Sequence, residues 1–153
     1  MIGIIQGRLS NAPKNRLQFF PKKWDLEFET ANICGYDYIE FFSERQLNKT
    51  NPIWNKKNLK NYSVLAKKNN LKIYSFVDDY IISNSINNEK SIIYLKKLIK
   101  NLSALRIKKL ILPMYGKSII KSNNLYIISS SLNNICRYAL KRKIEILLET
   151  NIN

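Results

Sequence analysis

Five short apolar runs punctuate the chain at a nearly constant interval. They occupy residues 2–6, 38–42, 72–77, 109–113 and 144–149, and their starts lie 34 to 37 residues apart. Each is brief and bounded by polar or turn-forming residues, as a strand buried on both faces reads. Between them, apolar residues recur at helical spacing. Trp24, Phe28, Ala31 and Gly35 share one face of the first segment, and Leu59, Tyr62, Leu65 and Ala66 mark the second. The third is the clearest stripe, Ile92, Leu95, Leu98, Ile99, Leu102 and Leu105; Leu125, Ile128, Leu132, Ile135 and Ala139 mark the fourth. Strict alternation of strand and helix implies repeated βα units, hence a parallel sheet covered by helices. The 153 residues are enough for one domain with a real core.

The two sets of connections differ. Those from helix to strand are tight and basic: Lys67-Lys68, Arg106 with Lys108-Lys109, and Lys141-Arg142-Lys143. Cations in a last helical turn complement the negative end of the helix dipole. These turns belong to the N-terminal ends of the strands, the face where a barrel keeps stability rather than catalysis. Connections from strand to helix are longer and hold both signs of charge. They carry Gln6-Gly7-Arg8 with Asn15-Arg16, then Glu44-Arg45, then Asp78-Asp79-Tyr80, then Tyr115-Gly116-Lys117-Ser118. That is the end of a parallel sheet where a small polar substrate binds.

Net charge is +15, from 26 Lys and Arg against 11 Asp and Glu. Alone, this would suggest a polyanionic partner. Lys far outnumbers Arg, however, and Ile, Asn and Tyr are also plentiful, a joint excess that an A+T-rich coding sequence produces. Lys96, Lys97 and Lys100 lie opposite the apolar stripe and read as a solvated face. With the helix-end cations, most of the excess is accounted for without a nucleic acid, and the sequence argues against one. The first apolar run is too short for a signal sequence and no stretch is long enough to span a membrane, so a cytoplasmic protein is expected. Cys34 and Cys136 have no Cys or His nearby and fall in helical patterns, so they are expected to be small buried hydrophobes.

Candidate chemistry concentrates at the strand tips. Glu149 closes the last strand, where a buried carboxylate is costly unless it is paired, metal-bound or open to solvent. Glu40 sits late in the second strand, with Arg8 as a candidate partner; a structural ion pair and a substrate contact fit equally. Asp78 and Asp79 are adjacent, so at most one faces the site, and a turn or helix cap is the simpler role. Arg8, Arg16 and Lys117 are the candidates for gripping phosphate or sugar hydroxyls. There is no P-loop, G-x-G-x-x-G or G-x-S-x-G element, and without histidine the usual Ser and Cys triads are excluded.

The opening Ile2-Gly3-Ile4-Ile5-Gln6-Gly7-Arg8-Leu9-Ser10 resembles the first strand and loop of the sugar phosphate isomerase/epimerase family, the xylose-isomerase-like TIM barrels. So do Arg16-Leu17-Gln18, Phe20-Pro21, Trp24, Glu27-Phe28 and Gly35-Tyr36-Asp37-Tyr38-Ile39-Glu40. Leu147-Leu148-Glu149-Thr150 is similar to the strand that carries the family's first metal-binding glutamate. The resemblance implies the N-terminal half of a (β/α)8 TIM barrel: about four βα units plus a fifth strand, one domain over residues 1–153 cut short at its C-terminus. It implies metal-assisted isomerisation or epimerisation of a sugar or sugar phosphate. Glu149 would be metal ligand and catalytic residue, Glu40 a second catalytic carboxylate, and Gln6, Arg8, Arg16 and Lys117 substrate contacts. The family holds Mn, Mg, Co or Zn with Glu, Asp, His and Glu. Here only Glu149 has a counterpart, so this chain alone is expected to be inactive and to bind metal weakly. It is also expected to self-associate or to need a chain supplying the missing half-barrel. Asn151 departs from the acid that often follows the family's Leu-Glu-Thr. Three alternatives remain: a related metal-dependent endonuclease or phosphoesterase, a non-catalytic remnant or interaction module, and an open five-stranded sheet of flavodoxin type.

Overall fold

The structure is a computed structural model, and it describes residues 1–14 and 18–151. All five expected strands form: β1 (Gly3–Ile5), β2 (Tyr38–Ser43), β3 (Lys72–Asp78), β4 (Lys109–Pro113) and β5 (Glu145–Glu149). The helices are α1 (Leu26–Ile33), α2 (Lys56–Lys68), a single-turn α3 (Tyr80–Ser83), α4 (Glu89–Ala104) and α5 (Leu125–Leu140). The strands make one sheet in the order β1-β2-β3-β4-β5, every pair parallel. A flavodoxin-type sheet must reverse its strand order once to place helices on both faces. This order never reverses. The helices therefore lie on one side and the other side is the inside of a barrel, of which the sheet is about half.

The helix-facing side carries the core. Ile39, Phe41, Phe76, Leu110 and Leu112 pack against Phe28 and Ala31 of α1, Tyr62 of α2, Leu95, Leu98 and Leu102 of α4, and Ile135 and Ala139 of α5. Phe41 stacks on Tyr62 at 4.1 Å, and Phe28 and Trp24 meet Tyr62 edge-on or tilted. Asn55 and Asn88 cap α2 and α4 by accepting the Lys57 and Lys90 N–H groups.

Four helices end in the same motif. The N–H groups of Tyr36, Leu71, Ile107 and Ile144 bond back to the carbonyls of Ala31, Ala66, Leu102 and Ala139, five residues earlier. The residue before each takes a left-handed backbone: Gly35, Asn70, Arg106 and Lys143, with φ between 54° and 77°. This is the Schellman stop, and the apolar residue after it starts the next strand region. The motif corrects one sequence reading. The last turn of α4 holds no basic residue, and Arg106, Lys108, Lys141 and Lys143 lie past the helix ends, in the turns themselves. A second correction concerns the cysteines, which are both exposed. Cys34 follows the end of α1, and on α5 Ile135 takes the core position beside Cys136.

No helix among the described residues is long and apolar enough to cross a membrane.

Candidate active site

The register decides which side chains look into the barrel. Ile5 pairs with Glu40, Phe42 with Val77, Val77 with Ile111, Ile111 with Leu147, and Pro113 with Glu149. Successive residues alternate faces, so Ile5, Glu40, Phe42, Ser75, Val77, Ile111, Leu147 and Glu149 all share the barrel-facing side. Glu40 is half-buried there and accepts a hydrogen bond from the Ser75 hydroxyl.

Glu149 ends the ladder. Its carbonyl accepts the Met114 N–H at 2.8 Å, and its carboxylate accepts the Tyr115 hydroxyl at 3.1 Å. The carboxylate is exposed at the strand tips, so the burial cost expected from the sequence does not arise. Tyr115's phenol is raised in pKa, by desolvation and then by the Glu149 carboxylate it donates to.

The two aspartates after β3 part company. Asp78 points to the helix side, where it accepts bonds from Ser43 and from Tyr94 of α4, the latter at 2.9 Å. It is fully buried, one of its oxygens has no hydrogen-bond partner of good geometry among the described residues, and burial lifts its pKa to about 7. Asp79 points to the mouth. Its side chain makes no capping bond to α3, contrary to the cap expected from sequence. Burial raises its pKa to about 6, with Arg45 opposing the rise and Glu149 adding to it. Asp79, Arg45, Glu149 and Tyr115 therefore form a mixed-charge group above β3–β5. The sequence pattern placed all four in the right loops, but only the fold brings them together.

Of the other expected site residues, Lys117 lies in a short turn (Gly116–Ser118) on the same rim and is exposed. That turn packs on α3: the Ser118 hydroxyl donates to the Ile81 carbonyl at 2.7 Å. A Cβ at Gly116, where φ is +54°, would sit 2.5 Å from the Ile82 oxygen. Arg8 is exposed in the β1–α1 loop. Gln6 is 2% exposed on the helix side near Tyr62, and its amide makes no hydrogen bond of good geometry among the described residues. Arg16 lies outside the described residues.

Glu27 escaped the sequence reading. It is 1% exposed, and its two oxygens accept the Gly7 N–H at 2.8 Å and the Ser10 hydroxyl at 2.7 Å. It thus pins the β1–α1 loop to α1. The signal was present, since Glu27 falls three residues after Trp24 and four before Ala31, on the apolar stripe. Nearby, Glu44 accepts the Phe20 N–H, and Phe20 covers Phe42 at a ring separation of 6.2 Å. A groove of about 970 Å³ runs between these two loops.

Among the described residues, no three Asp, Glu, Cys or His side chains converge to hold a metal. The donors at the mouth are carboxylates, which suit hard divalent ions, but Glu149 and Asp79 do not make a complete ligand set. The chain alone does not fit a tightly held ion.

No protein-family model and no curated protein matches the chain. Solved structures do. The chain is similar to a D-psicose 3-epimerase from Clostridium cellulolyticum solved with D-tagatose, with a TM-score of 0.73 and 13% identity over 97% of this chain and 52% of that one. It is similar to a xylose isomerase domain protein from Planctomyces limnophilus, with a TM-score of 0.64 and 9% identity over 98% and 52%. It is also similar to a xylose isomerase-like TIM barrel protein from Mycobacterium smegmatis in complex with magnesium, with a TM-score of 0.61 and 13% identity over 82% and 45%. The chain spans about half the length of these proteins. The fold is half of a xylose-isomerase-like TIM barrel.

Proposed function

We propose that the chain supplies half of the active site of a sugar or sugar phosphate isomerase/epimerase, with Glu149 as one ligand of a divalent metal. The carrying observation is the place of Glu149: last in the ladder, on the barrel-facing side, exposed, and oriented by Tyr115. The fold is shared with an epimerase solved with D-tagatose and with a barrel solved with magnesium. In such chemistry the ion polarises a carbonyl or hydroxyl and carboxylates move the proton. Glu40, held by Ser75, faces the same interior and is the second catalytic carboxylate. Arg8, Arg16 and Lys117 grip hydroxyls or phosphate at the rim. Gln6, expected from the sequence as a substrate contact, is enclosed behind the sheet and reaches substrate only if the β1 tip rearranges.

The incomplete donor set favours a second reading, in which these 153 residues alone are non-catalytic and serve as one side of a larger assembly. Calorimetric titration with Mn²⁺ separates the two. Weak binding that disappears in Glu149→Gln is expected. Binding untouched by the substitution would remove Glu149 from the ligand set, and a sub-micromolar site would show the set to be complete within this chain.

A further inference from the structure

We propose that the N-terminal face of the sheet, opposite the candidate active site, is a docking surface for a double-stranded nucleic acid, held by its phosphate backbone without base readout. Three successive helix-to-strand turns meet there. They bring together Lys67 and Lys68 at the end of α2 with Lys72 at the start of β3, Arg106 and Lys108 with Lys109 at the start of β4, and Lys141, Arg142 and Lys143 before β5. The three strands are hydrogen-bonded neighbours, so the turns lie side by side about 5 Å apart at the strands.

The sequence alone assigns these cations to helix ends and so argues against a nucleic acid, but helix dipoles do not account for their density. The negative end of one helix amounts to about half a charge, and each helix-to-strand junction carries three cations, of which only Lys67 and Lys68 lie in a last helical turn. Carboxylates do not account for it either. Among the described residues the ion pairs are Lys109 with Glu145, at 4.0 Å, and the terminal ammonium with Asp37.

An independent observation comes from the backbone. Of the four left-handed helix stops, one holds Gly35, whereas Arg106 and Lys143 occupy positions that strongly favour glycine. Strain retained where a relaxed residue would serve points to a use for the side chain. Both strained residues are cations, and both face this surface.

The chemistry of the turns selects the partner. The turns themselves contain no aromatic residue, and the rings beside them are already faced by the chain's own cations, Tyr74 by Lys109 and Tyr138 by Arg142, which makes them poor platforms for single-stranded bases. Their apolar residues, Leu71, Leu105, Ile107 and Ile144, are all buried, so nothing inserts into a lipid surface. Leu140, the last residue of α5, is an exposed exception near these turns. What remains is a dense cationic face, which fits the regular phosphates of a duplex.

Fluorescence anisotropy of the full chain with a labelled duplex of arbitrary sequence, across a salt series, tests this. Binding in the range of about 10⁻⁶ to 10⁻⁴ M at physiological salt is expected. The triple variant Lys108→Gln, Lys141→Gln, Lys143→Gln should lower the log–log salt slope by about 3. The triple variant Lys22→Gln, Lys49→Gln, Lys121→Gln, with the same change in charge on the strand-to-helix loops, should leave the slope unchanged. Arg106→Gly with Lys143→Gly should raise the melting temperature by about 2–4 °C or more while weakening binding, a pairing that a purely structural role would not give. Equal losses in both triple variants, tighter binding to anionic vesicles or polyglutamate than to duplex, or no binding at low salt would each overturn the proposal.

Discussion

Asp78→Asn should stabilise the protein by up to about 4 kcal/mol at pH 8 and change it little at pH 4. Unfolded, this carboxyl loses its proton near 3.8; folded, it holds it to about 7. The cause is burial, with the hydroxyls of Ser43 and Tyr94 pulling the other way and Asp79 adding to the rise. Between those values the folded state keeps a proton the unfolded state has released. Stability from this group is therefore fully present below about pH 4, falls as pH rises towards 7, and stays low above it. Each unit of difference is worth about 1.4 kcal/mol, which sets the size of the effect. Asparagine cannot ionise, and its oxygen can still accept from Ser43 and Tyr94. Its NH₂ takes the place of the oxygen that lacks a partner of good geometry among the described residues, which trims the gain. Asp79 is raised in the same direction, so some slope remains in the variant. Urea unfolding of both proteins from pH 4 to 8 measures this. Parallel curves would mean that Asp78 is ionised and solvated in the folded state.

The second large effect is on assembly. The 153-residue polypeptide should sediment as species heavier than its 18.0 kDa mass, in proportion to concentration. β1 and β5 each leave one side of their backbone unpaired, and neither carries proline or a central lysine. Ile5, Ile111 and Leu147 are half-buried on the barrel-facing side. On α5, Tyr126 is 86% exposed and Leu140 76%, and on β5 Leu148 is 43% exposed. Exposed apolar side chains beside unpaired strand edges favour association. Leu147→Lys together with Tyr126→Lys should shift the distribution towards monomer; Tyr126 is freely exposed, while Leu147 is half-buried and its ammonium must reach solvent through the open side of the sheet. A single concentration-independent monomer in the parent would mean that the open sheet is stable alone. In that case the barrel-facing side would need no partner.

Most of the fold was legible because buried parallel strands and amphipathic helices write strong periods into a chain. Strand starts were read to within a residue, and β4 in full. The site was less legible, and β3 shows why. Tyr38 pairs with Lys72, and strict alternation from Lys72 would turn Asp78 into the barrel and Asp79 away. The register shifts opposite Glu40, between the pairs Ile39↔Ile73 and Phe41↔Phe76. One extra residue reverses every side chain beyond it. Asp79 reaches the mouth and Asp78 joins Tyr94 behind the sheet. Nothing in Tyr74-Ser75 announces that shift. Glu27 was missed for a related reason: a carboxylate on an apolar stripe makes sense only once the Gly7 and Ser10 donors are seen above it.

The unreversed strand order also governs how the chain can acquire its structure. Every strand pairs only with the one before and the one after, at a separation of about one βα unit. No strand must wait for a distant segment, so the entropy of closing large loops is never incurred all at once. Each new unit finds its template already made and adds to the growing edge. On the ribosome, where residues emerge at about 5–20 per second, β1 and β2 can pair while α4 is still being synthesised. Folding can then proceed in step with translation, from the amino end forward.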